Sequence, residues 1–97
     1  MKQSKWIEHI RVRSSSVKLQ EAMPSLFKQI EEVKEQTGDA EIFFMKHAIY
    51  DGDLSVVVVW HNNMEPKKTR EGLMIAVKLQ ELGSIDHAVW IQAESIK

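Results

Sequence analysis

The chain has 97 residues, 43% hydrophobic and 28% charged, with thirteen basic and fourteen acidic side chains, a net charge of −1 and no cysteine. These values predict one globular domain, residues 1–97, because single cores typically span about 100 to 150 residues. Near-neutral charge argues against nucleic-acid or membrane-surface partners, and without cysteine the chain has no disulfides, thiolate catalysis or thiolate metal sites.

The start of the chain and its overall hydropathy predict a cytoplasmic protein. The first five residues, Met1 to Lys5, lack the apolar run of a signal peptide. No stretch approaches the ~20 apolar residues that a membrane-spanning helix needs. We therefore expect no membrane partner.

The first predicted elements are a strand and a helix. The strand, Trp6 to Arg13, alternates so that Glu8 shares one face with Ile10 and Val12. Apolar residues at three- and four-residue spacing over 19–33 then predict an amphipathic helix. At Pro24 either this helix kinks or the main helix begins, and Gly38 is expected to end it in the left-handed conformation.

Two further strands, residues 41–49 and 54–61, are predicted to form a hairpin. Asp51-Gly52 lies between them, and this dipeptide tolerates the positive φ angles of a two-residue turn. Such a turn places Lys46 opposite Val57 and fixes which side chains share a face.

A second helix and a last strand complete the chain. The helix is predicted from about Lys67 to Leu82, ending at Gly83. Within it, Gly72 either permits close packing or marks a frayed beginning. The last strand is predicted over 85–93, followed by a short tail, residues 94–97.

The order β-α-β-β-α-β predicts the α+β, ferredoxin-like fold, with both helices on one face of a four-stranded antiparallel sheet. The predicted register places the more apolar of the two hairpin faces toward the helices: Phe43, Met45, His47, Ile49, Leu54, Val56, Val58 and Trp60. The opposite, open face then carries Ile42, Phe44, Val57, Val59 and Trp90. An uncovered apolar face predicts a homodimer of packed sheets; the alternative is a monomer whose tail or kinked first helix covers that face.

The segment Val56 to Trp60, followed by a polar turn and an amphipathic helix, resembles the dimeric α+β barrel superfamily, and most closely its antibiotic biosynthesis monooxygenase group. The strand at Ala88-Val89-Trp90 is compatible with this resemblance. The resemblance implies dimerisation through the open sheet face and a pocket between sheet and helices or in the barrel. It also implies two residues that the cofactor-free oxygenases and the haem-degrading relatives use, an asparagine on the first strand and a tryptophan near the end of the third. The haem-degrading relatives add a histidine on the second helix. Trp60 matches, whereas Glu8 and His9 stand where the asparagine is expected and the second helix has no histidine.

Polar groups among apolar walls suggest a small-molecule site, for which the candidate residues are His9, Arg11, Lys46, Trp60, His61, Trp90 and Gln92. Lys46 either reaches to the rim, pairs with an acid across a dimer interface, or meets an anionic ligand. Trp60 either stacks on a planar ligand or packs in the core. The four histidines lack close metal-ligand spacing, so no metal and no cofactor are predicted.

Two functions remain open from the sequence. The first is a small homodimeric, cofactor-free, monooxygenase-like enzyme that acts on a planar hydrophobic substrate. The second is a non-catalytic dimer that binds a ligand or has a structural role. No catalytic residue is identified at this point.

Overall fold

The computed structural model describes residues 5–38 and 40–96; residues 1–4, on which most of the signal-peptide argument rests, lie outside this range, as do residues 39 and 97. The elements in chain order are β1 Lys5–Arg13, α1 Ser16–Lys34, β2 Glu41–Lys46, β3 Asp53–His61, α2 Arg70–Gln80 and β4 Ser84–Ile91. This order confirms the predicted ferredoxin-like fold.

The sheet is antiparallel throughout, with strand order β2-β3-β1-β4. Both helices pack on one face, where they bury the inward side chains of the two central strands. The largest fully buried apolar side chains include Trp6, Ile10, Leu54, Ile75 and Leu79. The alternation predicted for β1 is confirmed, since every second residue from Trp6 to Val12 is buried.

No helix among the described residues is both long enough and apolar enough to cross a membrane.

Helix α1 is one continuous helix, and Pro24 lies inside it. Of the two alternatives left open at Pro24, a helix that begins there is therefore wrong. Ser15 caps the first turn by accepting a hydrogen bond from the Lys18 backbone N–H. Gly38 has the predicted left-handed conformation, with φ of 69°, but it follows the helix end at Lys34 by a short turn instead of capping it directly.

Helix α2 is shorter than predicted because Thr69 caps it. The Thr69 hydroxyl accepts a hydrogen bond from the Gly72 N–H at 2.9 Å, and the helix starts at Arg70. Lys67, the predicted start, therefore precedes the helix, and its positive charge lies outside the first turn.

The predicted two-residue hairpin loop between β2 and β3 is wrong, although Asp51-Gly52 does lie in a turn, closed by a hydrogen bond from the Asp53 N–H to the Tyr50 carbonyl at 3.3 Å. Strand β2 ends at Lys46 and β3 begins at Asp53, so residues 47–52 connect them. Gly52 does not have a positive φ. Its missing side chain instead lets the β1–α1 turn approach, because a Cβ there would lie 2.6 Å from the Ser14 carbonyl oxygen.

The observed register places Lys46 opposite Leu54 instead of Val57, three residues away. An odd shift exchanges the two faces of a strand. Ile42 and Phe44 therefore pack toward the helices, and Phe44 meets Phe27 of α1 edge-on at 5.4 Å between ring centroids. Phe43 and Met45, predicted to be in the core, lie on the open face and are 47% and 55% exposed.

The rest of the open face follows the prediction in part. Val57 and Val59 do lie there, but their position on a central strand leaves them nearly buried, whereas Trp90 on the edge strand β4 is 61% exposed. Strand β4 ends at Ile91, two residues before the predicted end. Val89 and Ile91 occupy inward positions, because they pair with the inward residues Glu8 and Trp6 of β1.

Candidate functional site

The most unusual feature of the core is an acid. Glu8 lies at an inward position of β1, flanked by Val58 of β3 and Val89 of β4, and has no solvent exposure. A buried carboxylate is strongly unfavourable unless hydrogen-bond donors or a cation surround it. The structure supplies such partners from three other elements.

Four donors converge on the Glu8 carboxylate. Its Oε1 atom accepts from the Thr69 backbone N–H and lies 2.9 Å from Nε2 of His87; its Oε2 atom accepts from Nε1 of Trp60 at 2.9 Å and from the Thr69 hydroxyl at 2.5 Å. Each oxygen thus has two partners, which is the arrangement of an ionised carboxylate. We call Glu8, Trp60, Thr69 and His87 the Glu8 cluster.

Thr69 joins the Glu8 cluster to helix α2. Its hydroxyl accepts from Gly72 and donates to Glu8, while its own backbone N–H also donates to Glu8. A carboxylate at a helix N-terminus is stabilised by the unpaired N–H groups and the helix dipole. Glu8 therefore holds the beginning of α2 against the sheet.

Gly72 makes this approach feasible. A Cβ at position 72 would lie 2.0 Å from Oε1 of Glu8 and 2.6 Å from its Cδ. Of the two interpretations of Gly72 from sequence, close packing is confirmed, and the group that approaches is the Glu8 side chain.

Trp60 extends the cluster into the aromatic part of the core. Its ring stacks on Trp6, with centroids 5.6 Å apart and planes inclined by 20°. Trp6 donates from Nε1 to the Asn62 side chain at 3.2 Å, in the connector before α2. The indole of Trp60 is only 6% exposed, so the core-packing alternative for Trp60 is confirmed.

His87 completes the cluster from the edge strand β4. Its side chain is 5% exposed and forms an ion pair with Glu8 when the imidazole is protonated. Glu8 and His87 did not appear among the candidate site residues. Their signal in the sequence was an acid and a histidine at inward positions of two strands.

Most of the predicted site residues lie on the open face or beside it. His9 lies on the open face, where its Nε2 is 3.0 Å from the Ser55 hydroxyl, and Arg11 is exposed on the same face. His61, also on that face, meets Glu41 at 3.1 Å. Trp90 lies on the open face, and the exposed Gln92 follows β4 and donates its backbone N–H to Lys5.

Two predicted residues lie on the helix side instead. Trp60 belongs to the Glu8 cluster, and Lys46 lines a cleft between β2 and α1. The open-face position predicted for Lys46 is wrong because of the register shift. Among residues 5–38 and 40–96, no group of three or more metal-ligating side chains is placed to hold a metal ion.

Solved structures similar to this one cover nearly the whole chain. A conserved Bacteroides thetaiotaomicron protein described as a "possible oxidoreductase" superimposes with a TM-score of 0.65 at 12% identity, over 93% of this chain and 99% of its own. SnoaB, a cofactor-independent oxygenase from Streptomyces nogalater, gives 0.58 at 11% identity, over 99% and 98%. Rv0793 from Mycobacterium tuberculosis gives 0.61 at 14% identity, over 97% and 98%.

No protein-family model and no curated protein matches the sequence. At identities of 11% to 14% the structural likeness establishes the fold. The fold implied by the resemblance to the antibiotic biosynthesis monooxygenase group is thereby confirmed: the chain shares its ferredoxin-like architecture with the cofactor-independent oxygenase SnoaB.

Proposed function

We propose that this chain forms a homodimer through its open sheet face and acts as a cofactor-free, monooxygenase-like enzyme on a small planar hydrophobic substrate. The observation that carries the proposal is the bond between Glu8 and Trp60, in a fold shared with a cofactor-independent oxygenase. The resemblance implies an asparagine on the first strand, where this chain has Glu8, and a tryptophan near the end of the third, which Trp60 matches; we propose that Glu8 takes the place of the asparagine as a hydrogen-bond acceptor. Glu8 supplies the acceptor and, unlike an amide, is also able to take a proton.

The open face supports the dimer. Its apolar side chains gather at the centre of the face, where Phe43, Trp90 and Ile7 surround the nearly buried pair Val57 and Val59. Charged and polar residues lie at both ends of this face: Lys5, Glu41 and His61 at the Val59 end, and Arg11, Arg13, Asp53 and Asp86 at the other. An apolar centre with a polar margin is typical of an interface between two copies.

Replacing Phe43 with aspartate tests the dimer. Burying a charge among the apolar residues of the open face costs free energy because the charge loses its hydration. Phe43→Asp should therefore sediment as a monomer, whereas the parent chain should sediment as a dimer. Val77→Asp is the matched control, because Val77 is 62% exposed on helix α2, away from the open face. A parent chain that sediments as a monomer at all concentrations contradicts the dimer.

The chemistry requires only the substrate and oxygen. A planar substrate with an acidic CH₂ group loses a proton to a base, and the resulting carbanion supplies the electrons that reduce O₂. The balanced reaction is R₂CH₂ + O₂ → R₂C=O + H₂O. Glu8, paired with His87, is the proposed proton acceptor. Because Glu8 is fully buried beneath Thr69, substrate reaches it only when the N-terminal turn of α2 moves aside.

Oxygen uptake with anthrone as the substrate tests the activity. Loss of a general base typically slows a reaction by about 10² to 10⁴, so Glu8→Gln should lose at least about 100-fold at a temperature where circular dichroism shows it folded. Trp60→Phe, which keeps a ring but removes the N–H donor, should fall between Glu8→Gln and the parent chain. If Glu8→Gln, Trp60→Phe and the parent chain all consume oxygen at the same rate, above the rate without protein, the result contradicts a role for the Glu8 cluster in the reaction.

The second function, a non-catalytic dimer, is favoured by a different observation. Both oxygens of Glu8 already have two partners each, which suits a closed structural centre. Dimeric protein that shows no oxygen uptake above the buffer rate supports this alternative.

A further inference from the structure

The gap between helix α1 and the edge strand β2 contains two clefts on the helix side of the sheet. The first, of about 260 Å³, has apolar walls from Leu19, Met23 and Leu54 and includes Lys46 and His47. The second, of about 160 Å³, lies between Ile30 and Ile42. Neither is lined by a residue of the Glu8 cluster, so the first cleft, which we call the Lys46 cleft, is a separate candidate site.

The Lys46 cleft follows from the unequal lengths of its two sides. Helix α1 has 19 residues and so extends about 28 Å at 1.5 Å per residue. Strand β2 has six residues and extends only about 20 Å. The first half of α1 therefore passes beyond the end of β2, and the space under it is bordered by the β2–β3 connection instead of a strand.

Lys46 is an unexpected residue to find on this side of the sheet. Its position opposite the buried Leu54 directs it toward the helices, where the strand otherwise carries Ile42 and Phe44. Among residues 5–38 and 40–96, Lys46 belongs to no ion pair. The cleft thus combines apolar walls with an exposed ammonium group that has no ion-pair partner in the described part of the chain.

His47 adds a second donor to the cleft. Its Nδ1 atom accepts hydrogen bonds from the backbone N–H groups of Ile49 and Tyr50, at 3.0 and 3.1 Å. A ring nitrogen that accepts is not protonated, so the proton of the neutral ring is on Nε2, which is then a donor. Among the described residues, Asp51 is the acid that lines the same cleft, and its side chain is exposed.

We propose that the Lys46 cleft binds a small aromatic carboxylate. The aromatic body lies against Leu19, Met23 and Leu54, and the carboxylate meets the ammonium group of Lys46 and Nε2 of His47. The volume of about 260 Å³ is slightly below the roughly 300–1,000 Å³ of pockets for drug-sized ligands, which favours a ligand of one or two rings. Binding at this site does not depend on turnover at the Glu8 cluster.

The test is a titration of ¹⁵N-labelled protein with 2-naphthoate and with the neutral 2-naphthamide, followed by NMR. Naphthoate should shift the amide signals of Leu19, Met23, Lys46 and Leu54. Lys46→Gln removes one solvent-accessible charge pair, so it should weaken naphthoate binding by about 1.4- to 5-fold, which corresponds to about 0.2–1 kcal/mol, and leave naphthamide binding unchanged.

Two further variants isolate the charge. Asp51→Asn removes the one acid of the cleft and should strengthen naphthoate binding, opposite in direction to Lys46→Gln. Lys28→Gln, at an exposed lysine elsewhere on α1, should leave it unchanged. The proposal is overturned if naphthoate does not bind, if it shifts other regions, if naphthamide binds equally well, or if Lys28→Gln weakens binding as much as Lys46→Gln does.

Discussion

Replacing Glu8 with glutamine removes the charge at the centre of the buried cluster and keeps nearly the same shape. The new NH₂ group must replace either Oε1 or Oε2. In the first case it faces the Thr69 backbone N–H, and in the second it faces the indole N–H of Trp60. Neither donor can rotate or change its tautomer, so in both orientations one buried N–H loses its acceptor.

The expected loss of stability is large. Hydrogen bonds to charged groups contribute about 1.5–3 kcal/mol each, and a buried N–H that loses its acceptor adds a desolvation cost of about 1–3 kcal/mol. We expect Glu8→Gln to lower the free energy of unfolding by about 3–5 kcal/mol. For a domain of this size that corresponds to a fall in Tm of about 15 °C or more.

Urea denaturation at a fixed protomer concentration measures this loss, since dimerisation makes stability depend on concentration. Glu32→Gln is the control: Glu32 is exposed on α1, the change in net charge is the same, and the expected effect is within about 0.5 kcal/mol. A loss below about 1 kcal/mol for Glu8→Gln would refute the reasoning, because it would mean that the four contacts are not made in solution.

Four other substitutions test the packing. Gly72→Ala should lower the free energy of unfolding by about 1–3 kcal/mol despite the better helix propensity of alanine, because its Cβ would lie 2.0 Å from Oε1 of Glu8. If urea denaturation shows that the variant is more stable, Glu8 does not lie this close to position 72. Pro24→Ala should raise Tm, because proline inside a helix removes a backbone hydrogen bond and costs up to about 3 kcal/mol; an unchanged Tm means that α1 already accommodates it. Ile75→Ala should lower the free energy of unfolding by about 2–5 kcal/mol because Ile75 is fully buried, whereas Val77→Ala, on the same helix but 62% exposed, should lower it by less than about 0.5 kcal/mol. Equal losses by calorimetry would mean that α2 packs with a different face.

The inward face of β1 was predictable because only one of its faces suits a core. Ile10 and Val12 share a face with Trp6, and the opposite face carries Arg11 and Arg13. Burying arginine without partners is far more unfavourable than exposing a few apolar atoms, so the alternation alone decides the orientation. The helical periodicity of α1 and the order of all six elements followed from equally local patterns.

The register of the hairpin was not predictable in the same way. Strand β2 contains four apolar residues in succession, from Ile42 to Met45, so its alternation does not favour either face. The face is decided by α1, which places Phe27 against Phe44, and by the longer β2–β3 connection that this register requires. The position of Lys46 depends on the same contact, which is why the sequence placed it on the wrong side of the sheet.

The Glu8 cluster shows the same division. The sequence alone determined that Glu8 and His87 occupy inward positions of their strands. Only the tertiary structure decided that both meet at one carboxylate, because the pairing of β1 with β4 and the cap of α2 join residues 61 and 79 positions apart. Local patterns report which face a residue occupies, whereas a hydrogen bond between distant elements depends on how the whole core packs.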